Sequence, residues 1–176
     1  MCGIAGFSLF NFNEGGETSL EAMHKAIHHR GPDNTGTWFN KNIALGNTRL
    51  KVIDLDEKSN QPFVSKNNKY IIIFNGEIYN HSDLKKKYKI VTKTSSDTEI
   101  IVELVSKFGD KCFNLLDGMF SIAIFDKINC RLYLARDPFG IKPLYYSIKN
   151  KKLIFCSEIK GIISQNSSFV QNDKSI

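Results

Sequence analysis

The run Tyr70-Ile71-Ile72-Ile73-Phe74 constrains this chain more than any other stretch. Consecutive large β-formers leave no polar side, so a strand built from them is buried on both faces and needs a layer packed over each. Other segments also read as strands: Cys2 to Phe10, Thr35 to Asn40 with Ile43 to Leu50 across Asn40-Lys41-Asn42, Met119 to Phe125 with Arg131 to Ala135, and Leu144 to Ile148 with Leu153 to Cys156. Val52 to Leu55 continues or follows the strand before it, and Asp56 to Pro62 is a polar loop. Buried-looking strands outnumber what one sheet with a single wet face can hold.

Helical spacing fills the intervals. Thr18 opens a capping box with Glu21, and Leu20, Met23 and Ile27 form an apolar stripe. His28-His29-Arg30 suits the negative end of that helix, and Gly31-Pro32-Asp33 forces a turn. Ser96 and Glu99 open a second box before Ile100, Ile101, Leu104, Val105 and Phe108, with Gly109 as the stop. A short helix is expected over Asp83 to Tyr88 and another from about Glu158, while Asn75-Gly76 reads as a tight turn. Together these predict an α+β fold: a four-layer α/β/β/α sandwich of two mostly antiparallel sheets between helices.

A length of 176 residues suits one domain, expected over 1–164, with the polar stretch 165–176 as the start of a linker. The net charge of +6 is spread over short lysine tracts such as Lys85 to Lys87, without interleaved aromatics, which excludes a nucleic-acid groove. No apolar run nears the ~18 residues of a membrane span, and no basic-then-apolar leader is seen, so a cytoplasmic protein is expected. Cys2, Cys112, Cys130 and Cys156 lack metal-ligand spacing, so neither a metal site nor a structural disulfide is expected.

Cys2 stands out chemically. If Met1 is removed, it carries a thiol and a free α-amine on one residue, a nucleophile with its own base. From these residues alone, an ordinary N-terminal strand with a buried cysteine is the simpler reading. Asn75 and Gly76, ending a buried strand, could offer donors to an oxyanion, or simply the dihedrals of a turn. Arg49 in an apolar stretch could grip a substrate carboxylate or an internal acid, and Asp97 in a first helical turn could receive an ammonium or serve the helix start. His28 and His29 read as helix-end residues.

These stretches carry a resemblance. CGIAG at 2–6, HRGPD at 29–33, RLKVIDL at 49–55, FNGEIYNH at 74–81, SSDTE at 95–99, LDGMFSIAIFD at 116–126 and RDPFGIKPLYY at 136–146 are similar, in order, to the glutaminase domain of glutamine-dependent asparagine synthetases. These are class II glutamine amidotransferases within the N-terminal nucleophile hydrolases. The resemblance implies Cys2 as nucleophile with its α-amine as base, and Asn75 and Gly76 as the oxyanion hole. Arg49 would bind the α-carboxylate of glutamine, Asp97 and Glu77 its α-amine, and Leu50, Lys51, Val52 and Ile53 would line the pocket. RDPFGIKPLYY is given a structural or interface role. Asn47 stands where many relatives carry His. No cofactor is expected in this domain. ATP and Mg would belong to a C-terminal synthetase domain, in cis or in trans, which this chain lacks, and a homodimer is possible on the family pattern. The ammonia acceptor stays open between aspartate and another carboxylate, beside the alternative of an idle glutamine-binding domain.

Overall fold

Strand alternation sets the layering. The computed structural model describes residues 1–8, 16–52 and 54–165. In β5 (Tyr70–Ile78), Ile71 and Ile73 face one way and Tyr70, Ile72 and Phe74 the other. Ile71 and Ile73 meet Ile4, Ile43, Leu45 and Phe155 of an opposing sheet. Ile72 and Phe74 meet Ile100, Ile101, Leu104 and Val105 of α3 (Asp97–Phe108). Each of those aliphatic side chains is nearly fully buried and contributes roughly 1.5–3 kcal/mol by leaving water.

Among the described residues, the first sheet runs β2 (Asn34–Phe39), β3 (Ile43–Arg49), β1 (Gly3–Ser8), β9 (Lys152–Cys156), β8 (Tyr145–Lys149). The second runs β4 (Phe63–Val64), β5, β6 (Gly118–Asp126), β7 (Arg131–Arg136), and every pairing in both sheets is antiparallel. On the outer face of the first sheet, Ala5, Phe7 and Ala44 pack against Leu20, Met23 and Ile27 of α1 (Gly16–Ile27) and Ile162 of α4 (Ile159–Ile163). α3 and α2 (His81–Lys87) cover the second. The result is the four-layer sandwich expected from the buried strands. No helix among the described residues is long and apolar enough to cross a membrane.

Local chemistry departs from expectation at four places. α1 starts at Gly16, so Thr18 lies inside its first turn, where Glu17 meets the positive helix end. Ser96 does cap α3, accepting from Thr98 N at 3.2 Å. Glu99 turns away from the box, because Lys93 N (2.9 Å), Thr94 N (2.8 Å) and Thr94 Oγ1 (2.6 Å) satisfy its carboxylate. Asn75-Gly76 is no turn: β5 runs through it, with Asn75 opposite Ser121 and Gly76 opposite Phe120. Finally, β3 stops at Arg49, and the described residues 50–52 and 54–56 are not in a strand. Leu9 and Phe10 of the first expected strand, Ile53, and 166–176 of the expected linker lie outside the described residues.

Candidate active site

The pairing of β1 with β3 places Gly3 opposite Thr48, so the residue before β1 meets the residues after β3. Cys2, half-buried, accepts from Leu50 N at 3.4 Å, and its thiol reaches Leu50 O at 3.6 Å. Its carbonyl accepts from Arg30 Nε at 3.0 Å, and Arg30 Nη1 donates to Glu158 at 2.9 Å. Burial alone would raise the Glu158 carboxyl, yet hydrogen bonds from Arg30, Lys160 and His29 outweigh it and hold the group at about 2. Asn47 Nδ2 donates to Gly3 O at 3.2 Å, so the residue that departs from the family pattern braces the backbone beside Cys2.

Cys2 opens onto a cleft of about 240 Å³ lined also by Arg49, Leu50, Val52, Asn75, Gly76, Glu77 and Asp97. Residues separated by up to 95 positions thus line one cleft. Lys51 does not line it: its N–H donates to Asp33 at 2.8 Å. Ile53 is outside the described residues.

Arg49 is buried, and among the described residues no carboxylate pairs with it, so the internal salt bridge is absent. Its guanidinium donates instead to the Asp54 carbonyl, to Asp56 O at 3.2 Å and to Asn60 Oδ1 at 2.6 Å. Neutral acceptors fix its orientation and leave its charge uncompensated, a condition that suits a substrate carboxylate. Asp97 is 4% exposed. Burial raises its carboxyl, outweighing the Ile78 N–H donated to it at 3.1 Å and the nearby His81. An ammonium docked there would restore its charged form. Glu77 stands exposed at the rim, also against the cleft.

Asn75 is 1% exposed, and its Nδ2 finds no acceptor among the described residues. A buried amide left without a partner costs about 1–3 kcal/mol, and Asn75 also lines the cleft. Gly76 is required by packing: a Cβ there would drive into the Met119 carbonyl oxygen and lie 2.8 Å from Phe120 Cα.

Local sequence signals missed several neighbours. Arg30 reads as a helix-end cation but reaches Cys2. Lys142, inside the stretch given a structural or interface role, is buried and lines the cleft, its Nζ 3.2 Å from Met1 Sδ. Asp137 of that stretch is structural, accepting from Phe120, Ile141 and Lys142 N–H groups at 2.8–3.2 Å. Gln61 also enters the cleft, its amide bonded to Phe74 N and Thr98. Only the pairing of distant elements reveals these roles.

The family model described as "Glutamine amidotransferase domain" matches residues 1–176. The chain is 38% identical to the "Putative asparagine synthetase [glutamine-hydrolyzing] 2" of Methanocaldococcus jannaschii, over 93% of its own length and 35% of that protein. It is 37% identical to "Amidase chry2" of Gibberella zeae, over 84% of its own length and 22% of that protein. The chain therefore spans about a third or less of the curated relatives it matches. The solved structure of the glutamine phosphoribosylpyrophosphate amidotransferase from B. subtilis shares its fold, with a TM-score of 0.76 at 19% identity over 93% of this chain and 43% of that one. A family-model match over residues 1–176 and a four-layer fold shared with a solved amidotransferase agree: the chain belongs to the glutamine amidotransferase domain family.

Proposed function

We propose that this chain hydrolyses glutamine to glutamate and ammonia, as the ammonia-releasing part of an asparagine-forming synthetase. One observation carries the reading: Cys2, the unpartnered Asn75 amide, Arg49 and Asp97 line a single cleft. Arg49 takes the α-carboxylate of glutamine, and Asp97 with Glu77 takes its α-ammonium. The side-chain carboxamide then lies toward Cys2.

Removal of Met1 frees the Cys2 α-amine, which accepts the thiol proton as sulfur adds to the carboxamide carbon. Negative charge on the carbonyl oxygen meets Asn75 Nδ2 and the Gly76 backbone. The C–N bond breaks, the α-amine returns its proton to the departing nitrogen, and ammonia leaves a γ-glutamyl thioester. Water, deprotonated by the same amine, cleaves the thioester to glutamate and regenerates the thiol. A synthetase domain in cis or in trans, with ATP and Mg, would consume the ammonia in a reducing cytoplasm suited to the four free cysteines. An acceptor other than aspartate is a second reading, favoured by the identity to a protein named as an amidase.

The expected result is equimolar glutamate and ammonia from glutamine, abolished by Cys2→Ala, with an intact mass lacking Met1. A Cys2→Ala chain that keeps the activity, or an active chain retaining Met1, overturns the mechanism.

A further inference from the structure

We propose that Asp54 is the positioning residue that fixes the spacing between Arg49 and Asp97, and with it the fit of the amino-acid end of the substrate. This rests on the glutamine reading above. β3 ends at Arg49, so the loop that follows has no sheet pairing to hold it. Asp54 lies in that loop, and its carbonyl takes a guanidinium N–H of Arg49. Its carboxylate reaches the other side of the cleft: Oδ2 accepts from Ser95 N at 3.0 Å and Ser95 Oγ at 2.9 Å. Ser95 precedes Ser96, the cap of α3, and Asp97 opens that helix. A single residue thus touches Arg49 through its main chain and the approach to Asp97 through its side chain.

The same carboxylate stiffens its own loop, with Oδ1 accepting from Asp56 N at 2.9 Å and Oδ2 from Ser59 Oγ at 2.8 Å. The other Arg49 acceptors, Asp56 O and Asn60 Oδ1, belong to this loop, so they move with it. Burial would raise the Asp54 carboxyl, but these hydrogen bonds outweigh it and hold the group at about 2, ionised and therefore a strong acceptor. Three donors crowd Oδ2 and one reaches Oδ1, so the carboxylate is largely committed within the chain. Asp54 also lines the cleft, but the oxygen that reaches across to Ser95 is fully engaged by Ser59 and Ser95, and its part is to position. Gln61 Nε2 to Thr98 Oγ1, at 3.3 Å, is a second and longer tether at the far end of the loop.

The test compares two reagents on Cys2, followed by mass spectrometry of the labelled peptide. A diazoketone analogue of glutamine carries both α-groups, whereas iodoacetamide carries neither. Asp54→Asn is expected to lower the ratio of diazoketone to iodoacetamide labelling by roughly tenfold, with the iodoacetamide rate within about twofold of the parent, because small misplacements of a binding group act strongly on oriented reactions. Combining Asp54→Asn with Arg49→Ala should lower the ratio no further than Arg49→Ala alone. An unchanged ratio in Asp54→Asn, or additive losses in the double variant, overturns the assignment. Labelling of buried Cys112 and Cys156 reports whether a variant has lost its fold. If Asp54→Asn has, Ser95→Ala decides: a smaller loss of ratio supports the role, and no loss overturns it. Failure of the glutamine reading looks different, since glutamine would then not slow iodoacetamide labelling of Cys2 in the unaltered chain.

Discussion

A side-chain amide N–H group buried without a partner is a cost that the fold sustains, and among the described residues Asn75 carries one beside the cleft that holds Cys2. Its Nδ2 contributes nothing to stability within the chain, so its removal should separate activity from folding. Asn75→Ala is expected to lower kcat for glutamine hydrolysis by about 10²–10³-fold, the usual cost of an oxyanion donor, with KM within a few-fold. Thermal unfolding should show a melting temperature equal to or above the parent's, because a desolvated donor worth roughly 1–3 kcal/mol disappears along with the packing volume lost. Equal losses of stability and activity would make Asn75 a structural residue. Asn47, by contrast, spends its amide donor on the Gly3 carbonyl and belongs to the scaffold around the nucleophile.

At the scale of elements, the β5–β6 ladder decides how Asn75 and Gly76 are presented. It runs unbroken from Tyr70↔Asp126 to Ile78↔Gly118, and at Gly76 it leaves no room for a Cβ beside Met119 and Phe120. Gly76→Ala should therefore cost about 1–3 kcal/mol in urea unfolding through overpacking. A neutral result would mean that the strand adapts and that close packing does not require glycine there. Such a ladder also explains where sequence reading succeeded and where it stopped. Tyr70 to Phe74 was legible because its burial on both faces admits only a sandwiched strand. The Asn-Gly dipeptide favours a turn only when nothing competes, and pairing with Phe120 and Ser121 overrides that preference. Ser96 was legible as a cap, whereas Glu99 was drawn off by the Lys93 and Thr94 donors, which no local pattern announces. Arg49 and Asp97 stand out in their local context, with two readings each, and the family resemblance chooses between them. Their meeting depends on β3, a loop and α3 converging, and Asp54 and Lys142 became visible only with that convergence.

For the whole molecule, helices cover the outer faces of both sheets, and a titratable side chain is trapped in the layer over the first sheet. His24 of α1 is 5% exposed and packs directly over Gly46, with Nε2 lacking a partner among the described residues. Burial disfavours the imidazolium and lowers its pKa from 6.5 to about 4. The unfolded chain therefore binds a proton in this window that the folded chain refuses. Stability from this residue is complete above about pH 6.5 and is lost as pH falls toward about 4, by at most on the order of 3 kcal/mol. Asp54 and Glu158, both held at about 2, act in a separate and lower window, from their ordinary values near 4 downward. In urea midpoints measured from pH 8 to pH 4, the His24 contribution should thus be level at first and then decline below about 6.5. His24→Leu removes this contribution and keeps the layer apolar, so the midpoint difference between variant and parent should be constant above about pH 6.5 and shift in the variant's favour as pH falls toward about 4, the raised Asp97 carboxyl acting equally in both chains. If the variant declines in parallel with the parent, the proton uptake belongs elsewhere and His24 is merely packed.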